Sequence, residues 1–487
     1  MKKILLLLFL VFCGTRAQAG FDFNTNCVNA YRAAVQLDFS RAQQLISQEK
    51  NAHPDNSIVL FLENTVDYYR IIMSNRKQDY DAWKSRRDAR VAQINGDDAN
   101  SPYYRYLQAH IHLQWALLHG QFGEFTAAGF AINKAHGLLQ ANEKKYPEFL
   151  PDNIDLAMVN VMLGSIPDGT LKSSLRFFGV KGDTRTGLQM LERLRASLPK
   201  SEHAFFYDEL VFYLSHVQCD IVQDPNAFAN TLKYAQSMPD SALKFYILGY
   251  AGVRTGHSKE ALTWLGNESY SRRFPLFYYF QGVARLNQLD SGAKNAFQLF
   301  LKYNTGNFYV KDAYLRLGWI ASLAGSPKET ARFFSLVKKE GSEFQDKDKQ
   351  ALNEIADANP DPVLLKARLL FDGGLYARAA ETLKSKPASN FTGRNRLEYS
   401  YRMGRILEEQ GNDRLAVTHY GQAVSLGKNQ RYYFAANSAL RAGLLWQRHG
   451  DKARARYCYN QVMSMKNFQY EQSIKQKVRT ALKQLGS

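Results

Sequence analysis

The sequence is poor in the residues that staple small folds: it has four cysteines and 13 prolines in 487 residues. A disulfide scaffold, a collagen and a proline-rich disordered chain are excluded. Long apolar runs are also missing. The longest, from Ile4 to Cys13, is about half of a membrane span, which excludes a polytopic membrane protein. Strand signals are scarce, with no sustained alternation bounded by tight hairpin dipeptides. Acids are in deficit, 45 against 63 Lys and Arg, for a formal charge of +18. No His-Glu-x-x-His, Gly-x-Ser-x-Gly or Walker sequence occurs. The length suits about three domains or one extended repeat array, and either buries a core without disulfides.

What is present begins at the N-terminus. Lys2-Lys3 form a charged segment, Ile4 to Phe12 an apolar one, and Ala17-Gln18-Ala19 offers small residues where a signal peptidase reads. Residues 1–19 are therefore expected to be an export signal cut after Ala19, placing the chain in the periplasm or cell envelope of a bacterium, with secretion as the alternative. Phe12 before Cys13 spoils a lipobox. Cys27, Cys219 and Cys458 remain, without metal spacing, and are expected to be small buried hydrophobes. A single Cys27–Cys219 or Cys27–Cys458 bridge is the alternative.

A repeat runs through the chain. Tyr401-Arg402-Met403-Gly404 is followed by Gly411, Ala416, Tyr420 and Ala423; Gly443, Trp446, Gly450, Ala455, Tyr459 and Val462 repeat the order. Small residues let two antiparallel helices approach, the aromatic fills the gap, and the turn Gly supplies a positive φ. Weaker copies are Gly249, Gly256, Ala261 and Leu265; Gly282, Ala293 and Phe297; Gly318, Gly325 and Phe334 with Thr330; and Leu370, Gly374, Ala379 and Leu383. Ala42, Ile46 and Pro54 fit the second half of a unit. The pattern resembles the tetratricopeptide repeat (TPR). The resemblance implies an all-α, right-handed superhelix of TPR-like antiparallel helix pairs, an α-solenoid. Helices are also expected over Pro102 to His119 and Phe122 to Asn142, both free of internal proline.

Residues 164–184 depart from simple helix pairs. Leu163, Gly164, Ile166, Pro167, Phe178, Gly179, Gly182, Asp183 and Gly187 follow an order of turn, aromatic-Gly pair, Gly-Asp and helix. This resembles the tetratricopeptide-repeat-39 and inclusion-body-clearance family over residues 25–200. The resemblance implies a helical fold and a binding role. The expected organisation is a signal at 1–19, a helical region at 20–200 with an irregular insert near 164–184, degenerate repeats at 201–357, and basic TPR repeats at 358–487.

Chemistry is harder to find. Gly179 to Gly187 lacks the Gly-Lys-Ser/Thr ending of a phosphate cradle, and Asp183 or Thr184 is expected to cap the next helix. His110, His112 and His119 do not share a metal-binding face. Asp97-Asp98 has fewer oxygen ligands than a calcium loop requires. No catalytic residue, cofactor or metal is therefore expected, and the chain is read as non-enzymatic.

Function then falls to the surface. In a TPR superhelix the first helix of each pair lines a groove, so the resemblance assigns Tyr246, Tyr250, Arg254, Arg316, Trp319, Tyr401, Arg402, Arg405, Arg441 and Arg448 to it. Arginine binds carboxylates bidentately and stacks on rings, so this row suits an acidic, extended protein segment. The competing reading makes these arginines ordinary ion pairs within the array. The alternative function is binding of an envelope glycan, anionic lipid or other polyanion, because residues 428–487 carry twelve Lys/Arg against Asp451 and Glu471. Nucleic acid is disfavoured, since the repeat register buries Trp446 and Tyr459 instead of offering them for stacking.

Overall fold

A computed structural model describes residues 20–166, 182–356 and 360–486. Among these residues the structure is all-α, and the sole strand-type pairing is an isolated bridge between Gly20 and Asn56. No helix among them is long and apolar enough to cross a membrane. The expected export signal lies outside the described residues. The chain divides into two compact units. One runs to Ile247 and includes Thr305–Asn307; the other holds Leu248–Asn304 and Phe308 onward. This packing boundary falls between the sequence divisions at 200 and 357.

The N-terminal unit contains α1 (Thr25–Val35), α2 (Phe39–Ala52), α3 (Ile58–Ser74), α4 (Lys77–Ile94), α5 (Pro102–Gln121), α6 (Phe125–Lys145), α7 (Leu150–Ser165), α8 (Thr184–Ser197), α9 (Tyr207–His216) and α10 (Ala227–Ala235). The unit boundary lies inside α11 (Ala242–Arg254). Helices α1 and α2, α5 and α6, and α7 and α8 pair along their lengths. Both helices expected from 102 to 142 are present: α5 runs two residues past His119, and α6 lies three residues further along the chain than expected. Most of the expected irregular insert, residues 167–181, lies outside the described residues. Its exit is clear: the Asp183 carboxylate accepts the Thr186 N–H at 2.8 Å and starts α8. A Cβ on Gly187 would lie 2.5 Å from the Ala157 carbonyl oxygen, so this glycine permits the close approach of α7 and α8.

The core of this unit is aromatic and also charged. Tyr31, Phe61, Tyr106, Trp115 and Phe206 are fully buried across α1, α3, α5 and the entry to α9. Among them sits Glu209, which accepts Tyr31 Oη at 2.6 Å, Tyr69 Oη at 3.1 Å, Tyr213 Oη at 3.2 Å and Gln114 Nε2 at 3.3 Å. His110 lies with Nδ1 3.0 Å from Asp155 and Nε2 3.6 Å from Glu209. Burial favours neutral imidazole, but the two carboxylates overcome it and hold His110 up at about 10. Burial likewise opposes the Glu209 charge, and His110 with the phenols outweighs it, keeping Glu209 below the usual range. These groups are closed off from solvent, so this constellation organises the core.

The C-terminal unit contains the remainder of α11, then α12 (Ser258–Leu265), α13 (Glu268–Arg273), α14 (Leu276–Leu286), α15 (Ala293–Tyr303), α16 (Val310–Leu323), α17 (Pro327–Lys339), α18 (Asp346–Ala356), α19 (Pro362–Asp372), α20 (Tyr376–Lys384), α21 (Gly393–Glu409), α22 (Asp413–Gly427), α23 (Phe434–Arg448), α24 (Lys452–Ser464) and α25 (Glu471–Gly486). Hairpins pair α14 with α15, α16 with α17, α19 with α20, α21 with α22, and α23 with α24. The repeat residues meet as their chemistry requires. A Cβ on Gly404 would stand 2.6 Å from the Tyr420 ring, and one on Gly282 2.7 Å from Phe297. Gly318 faces Phe334 and Gly443 faces Tyr459 in the same way. Each fully buried ring contributes about 1.5–3 kcal/mol of burial free energy. Gly411 and Gly450 take φ of 75° and 80° at the hairpin turns. Behind them Asn412 N–H returns to Leu407 O at 2.8 Å and Asp451 N–H to Trp446 O at 2.9 Å, closing both helix ends.

The three cysteines are buried thiols. Burial, then the Glu49 charge, pushes Cys27 up to about 12; burial pushes Cys458 up to about 11. Both act as small apolar side chains.

Candidate binding row

Hairpin stacking sets the first helices α19, α21 and α23 side by side, and α18 packs on α16. Their polar residues form a row of cations threaded with rings. In α16, Arg316 Nε donates to Asp312 at 2.5 Å, and its guanidinium lies 5.7 Å from the Trp319 ring. Arg368 of α19 lies 5.0 Å from the same ring and donates to Glu354 of α18 at 2.7 Å. In α21, Glu398 takes Arg402 Nε at 2.7 Å and Arg394 at 2.9 Å. Arg405 lies 4.8 Å from the Phe371 ring and donates to Tyr401 Oη at 3.2 Å, while its buried Nε meets no hydrogen-bond acceptor. Tyr401 Oη also accepts from Asn437 of α23 at 2.9 Å. Arg441 reaches Glu408 through Nε at 2.9 Å and through a terminal nitrogen at 2.8 Å. Lys477 of α25 adds a cation, lowered by burial and by Arg441 and Arg405.

The structure treats the ten expected groove residues unequally. Arg254 and Arg448 are exposed, and Arg405 and Arg441 are half-buried. Trp319, Tyr401 and Arg402 are only 3%, 4% and 8% exposed, and Arg316, Tyr246 and Tyr250 are also buried. Their expected outward orientation is corrected accordingly. Neighbouring helices cover the rings, and buried arginines recruit an acid one turn away because an unpaired charge there is costly. Tyr246 belongs to the N-terminal unit, its ring 6.0 Å from His216, while Tyr250 packs edge-on to Phe280 at 5.4 Å in the other unit. Trp446, expected to be buried, is half-buried beneath Arg454 at 4.6 Å; Tyr459 is fully buried.

Arg368 and Lys477 of the row escaped the sequence reading. Arg368 was legible: it stands six residues before Gly374, as Arg405 does before Gly411 and Trp319 before Gly325. Among the described residues no group of three or more His, Cys, Asp or Glu is placed to hold a metal.

No protein-family model matches the chain, and no curated protein matches its sequence. Among solved structures, the APC/C hetero-tetramer Cut9-Hcn1 aligns over 93% of this chain and 96% of its own, with 12% identity and a TM-score of 0.25. Naa15/Naa10 bound to HypK-THB aligns over 95% of this chain and 80% of its own, with 13% identity and a TM-score of 0.21. With TM-scores this low, these alignments do not carry the fold assignment; the chain's own helix pairing does.

Proposed function

We propose that this chain is a non-enzymatic interaction scaffold of the TPR type, exported to the cell envelope, which holds an acidic, extended protein segment along the row in its C-terminal unit. The observation that carries this reading is the alignment of Arg316, Arg368, Arg405 and Arg441 on the first helices of successive hairpins. A row that runs over several neighbouring helices suits a partner in extended form. The internal acids keep the arginines oriented, and the half-buried heads of Arg405 and Arg441 retain donors for a partner carboxylate.

One observation favours a second reading. Tyr457 is 66% exposed beside exposed Lys452, Arg454 and Arg456, a surface suited to an anionic glycan or lipid headgroup. Cross-linking the tagged protein in its native envelope separates the two. A dominant protein partner, joined to peptides from α16, α19, α21 and α23, supports the scaffold reading. Retention on envelope fractions without a protein cross-link, lost in high salt, overturns it in favour of the polyanion.

A further inference from the structure

The arginines of the row differ in what already holds them. Asp312 takes Arg316 Nε at 2.5 Å, Glu354 takes Arg368 at 2.7 Å, Glu398 takes Arg402 Nε at 2.7 Å, and Glu408 takes Arg441 at 2.8 and 2.9 Å. Each of these heads has a carboxylate within hydrogen-bond distance. Arg405 is different. Its Nη1 donates to a neutral acceptor, Tyr401 Oη, at 3.2 Å, and its guanidinium lies 4.8 Å from the Phe371 ring. Its Nε is buried and meets no acceptor. Glu409 lies 3.8 Å from Nη2, beyond hydrogen-bond distance. Glu408, the preceding residue, is committed to Tyr420 Oη at 2.6 Å and to Arg441.

Nε and Nη2 form one edge of a guanidinium, two parallel N–H groups that match the two oxygens of a carboxylate. On Arg405 this edge is unspent. The side chain is 24% exposed, with Nε just inside the surface. The groups beside it offer donors. Tyr401 Oη accepts from Arg405 Nη1 and, at 2.9 Å, from Asn437 Nδ2, so its lone pairs are taken and its proton is left to give. A site of donors around a partly desolvated cation selects an anion. The position draws on three neighbouring first helices, with Phe371 from α19, Tyr401 and Arg405 from α21, and Asn437 from α23. Arg368 and Arg441 stand on the helices to either side. An extended segment crossing the row therefore passes through this position and meets it with a side chain, not with its end. Glu409 lies 3.8 Å from Arg405 and 3.7 Å from Arg441, too far to hydrogen-bond either and near enough to oppose an arriving carboxylate.

We propose that the Nε/Nη2 edge of Arg405 is the principal anchor of the row, taking one Glu or Asp side-chain carboxylate of the bound acidic segment in two parallel hydrogen bonds, with Glu409 as the intrachain acid that restrains this contact. The inference rests on the scaffold reading and names the contact that dominates it.

The test uses the full chain and a fluorescein-labelled octaglutamate peptide with an amidated C-terminus, so that every carboxylate is a side chain. Binding is read by anisotropy at low salt. Arg405→Lys keeps a cation and loses the edge, and is expected to weaken binding about tenfold. Glu409→Gln should tighten it about threefold, and this gain should vanish in the double variant Arg405→Lys/Glu409→Gln. In the wild-type chain the peptide should protect Arg405 from phenylglyoxal, read by mass spectrometry, a measurement that needs no variant to fold. Equal binding by wild type and folded Arg405→Lys overturns the anchor and leaves the scaffold reading standing. So does a Glu409→Gln gain of the same size with and without Arg405→Lys, because the acid then acts on the row at large. Arg405 modified at the same rate with and without bound peptide overturns it as well. No binding of the peptide by wild type overturns the scaffold reading itself.

Discussion

The Tyr31 hydroxyl donates to a Glu209 carboxylate oxygen at 2.6 Å, joining helices 178 residues apart in the chain. Glu209 also takes Tyr69, Tyr213 and Gln114, and His110 bridges it toward Asp155. One carboxylate thus ties together α1, α3, α5 and α9. In a hairpin array most contacts are local; this network adds long-range ones that specify how the helices of the N-terminal unit close on each other.

Removing His110 leaves Asp155 and Glu209 buried without a counter-charge. His110→Gln is expected to cost about 3–5 kcal/mol in chemical denaturation at pH 6. The imidazole is held at about 10 in the fold against an ordinary 6.5. Its contribution is therefore complete below about pH 6.5 and fades as pH rises through 10. The gap between wild type and His110→Gln should shrink across that window; a constant gap up to pH 10.5 would contradict the charged imidazole.

The hairpin glycines differ in what they permit. Gly443 faces the Tyr459 ring, which is pinned by its hydroxyl on Gln447 at 2.6 Å. Gly443→Ala should destabilise by about 1–3 kcal/mol through overpacking, despite the better helix propensity of alanine. Gly421, inside α22, has open space around its missing Cβ. Gly421→Ala should stabilise by about 0.5–1 kcal/mol. Urea midpoints of the two variants should move in opposite directions.

Charge reversal within the row separates structural cations from available ones. Arg402 is buried against Glu398, which burial opposes and Arg402 with Arg394 keeps ionised below the usual range. Arg402→Glu places a second carboxylate beside Glu398 and should cost about 3–5 kcal/mol. Arg448 is exposed, 3.7 Å from Glu408 and 3.8 Å from Asp413. Arg448→Glu should shift stability by no more than about 0.5 kcal/mol. Thermal melts followed by circular dichroism check both.

Local geometry was legible in the sequence. The period linking Gly404, Gly411 and Tyr420, repeated by Gly443, Gly450 and Tyr459, specified helix hairpins, because close helix contact requires small residues and the turn requires a positive φ. The scarcity of alternating segments agreed with a strand-free structure among the described residues. The cationic row was legible in part: register placed Arg405, Arg441 and Trp319 on first helices, and missed Arg368 although it stands at the same count before Gly374.

Tertiary structure alone decided which of these groups a partner can meet. Register gives the face of a helix but not the depth to which neighbouring hairpins bury it, so Tyr401, Trp319 and Arg402 proved covered. Pairing is also non-local in part: Glu354 meets Arg368 from α18, and Glu408 of one hairpin meets Arg441 of the next. The Asp348 cap on the start of α16 follows from how α18 packs there, which no repeat period encodes. The Glu209 network has the same origin, since buried charge finds its partners in space and leaves no spacing in the sequence.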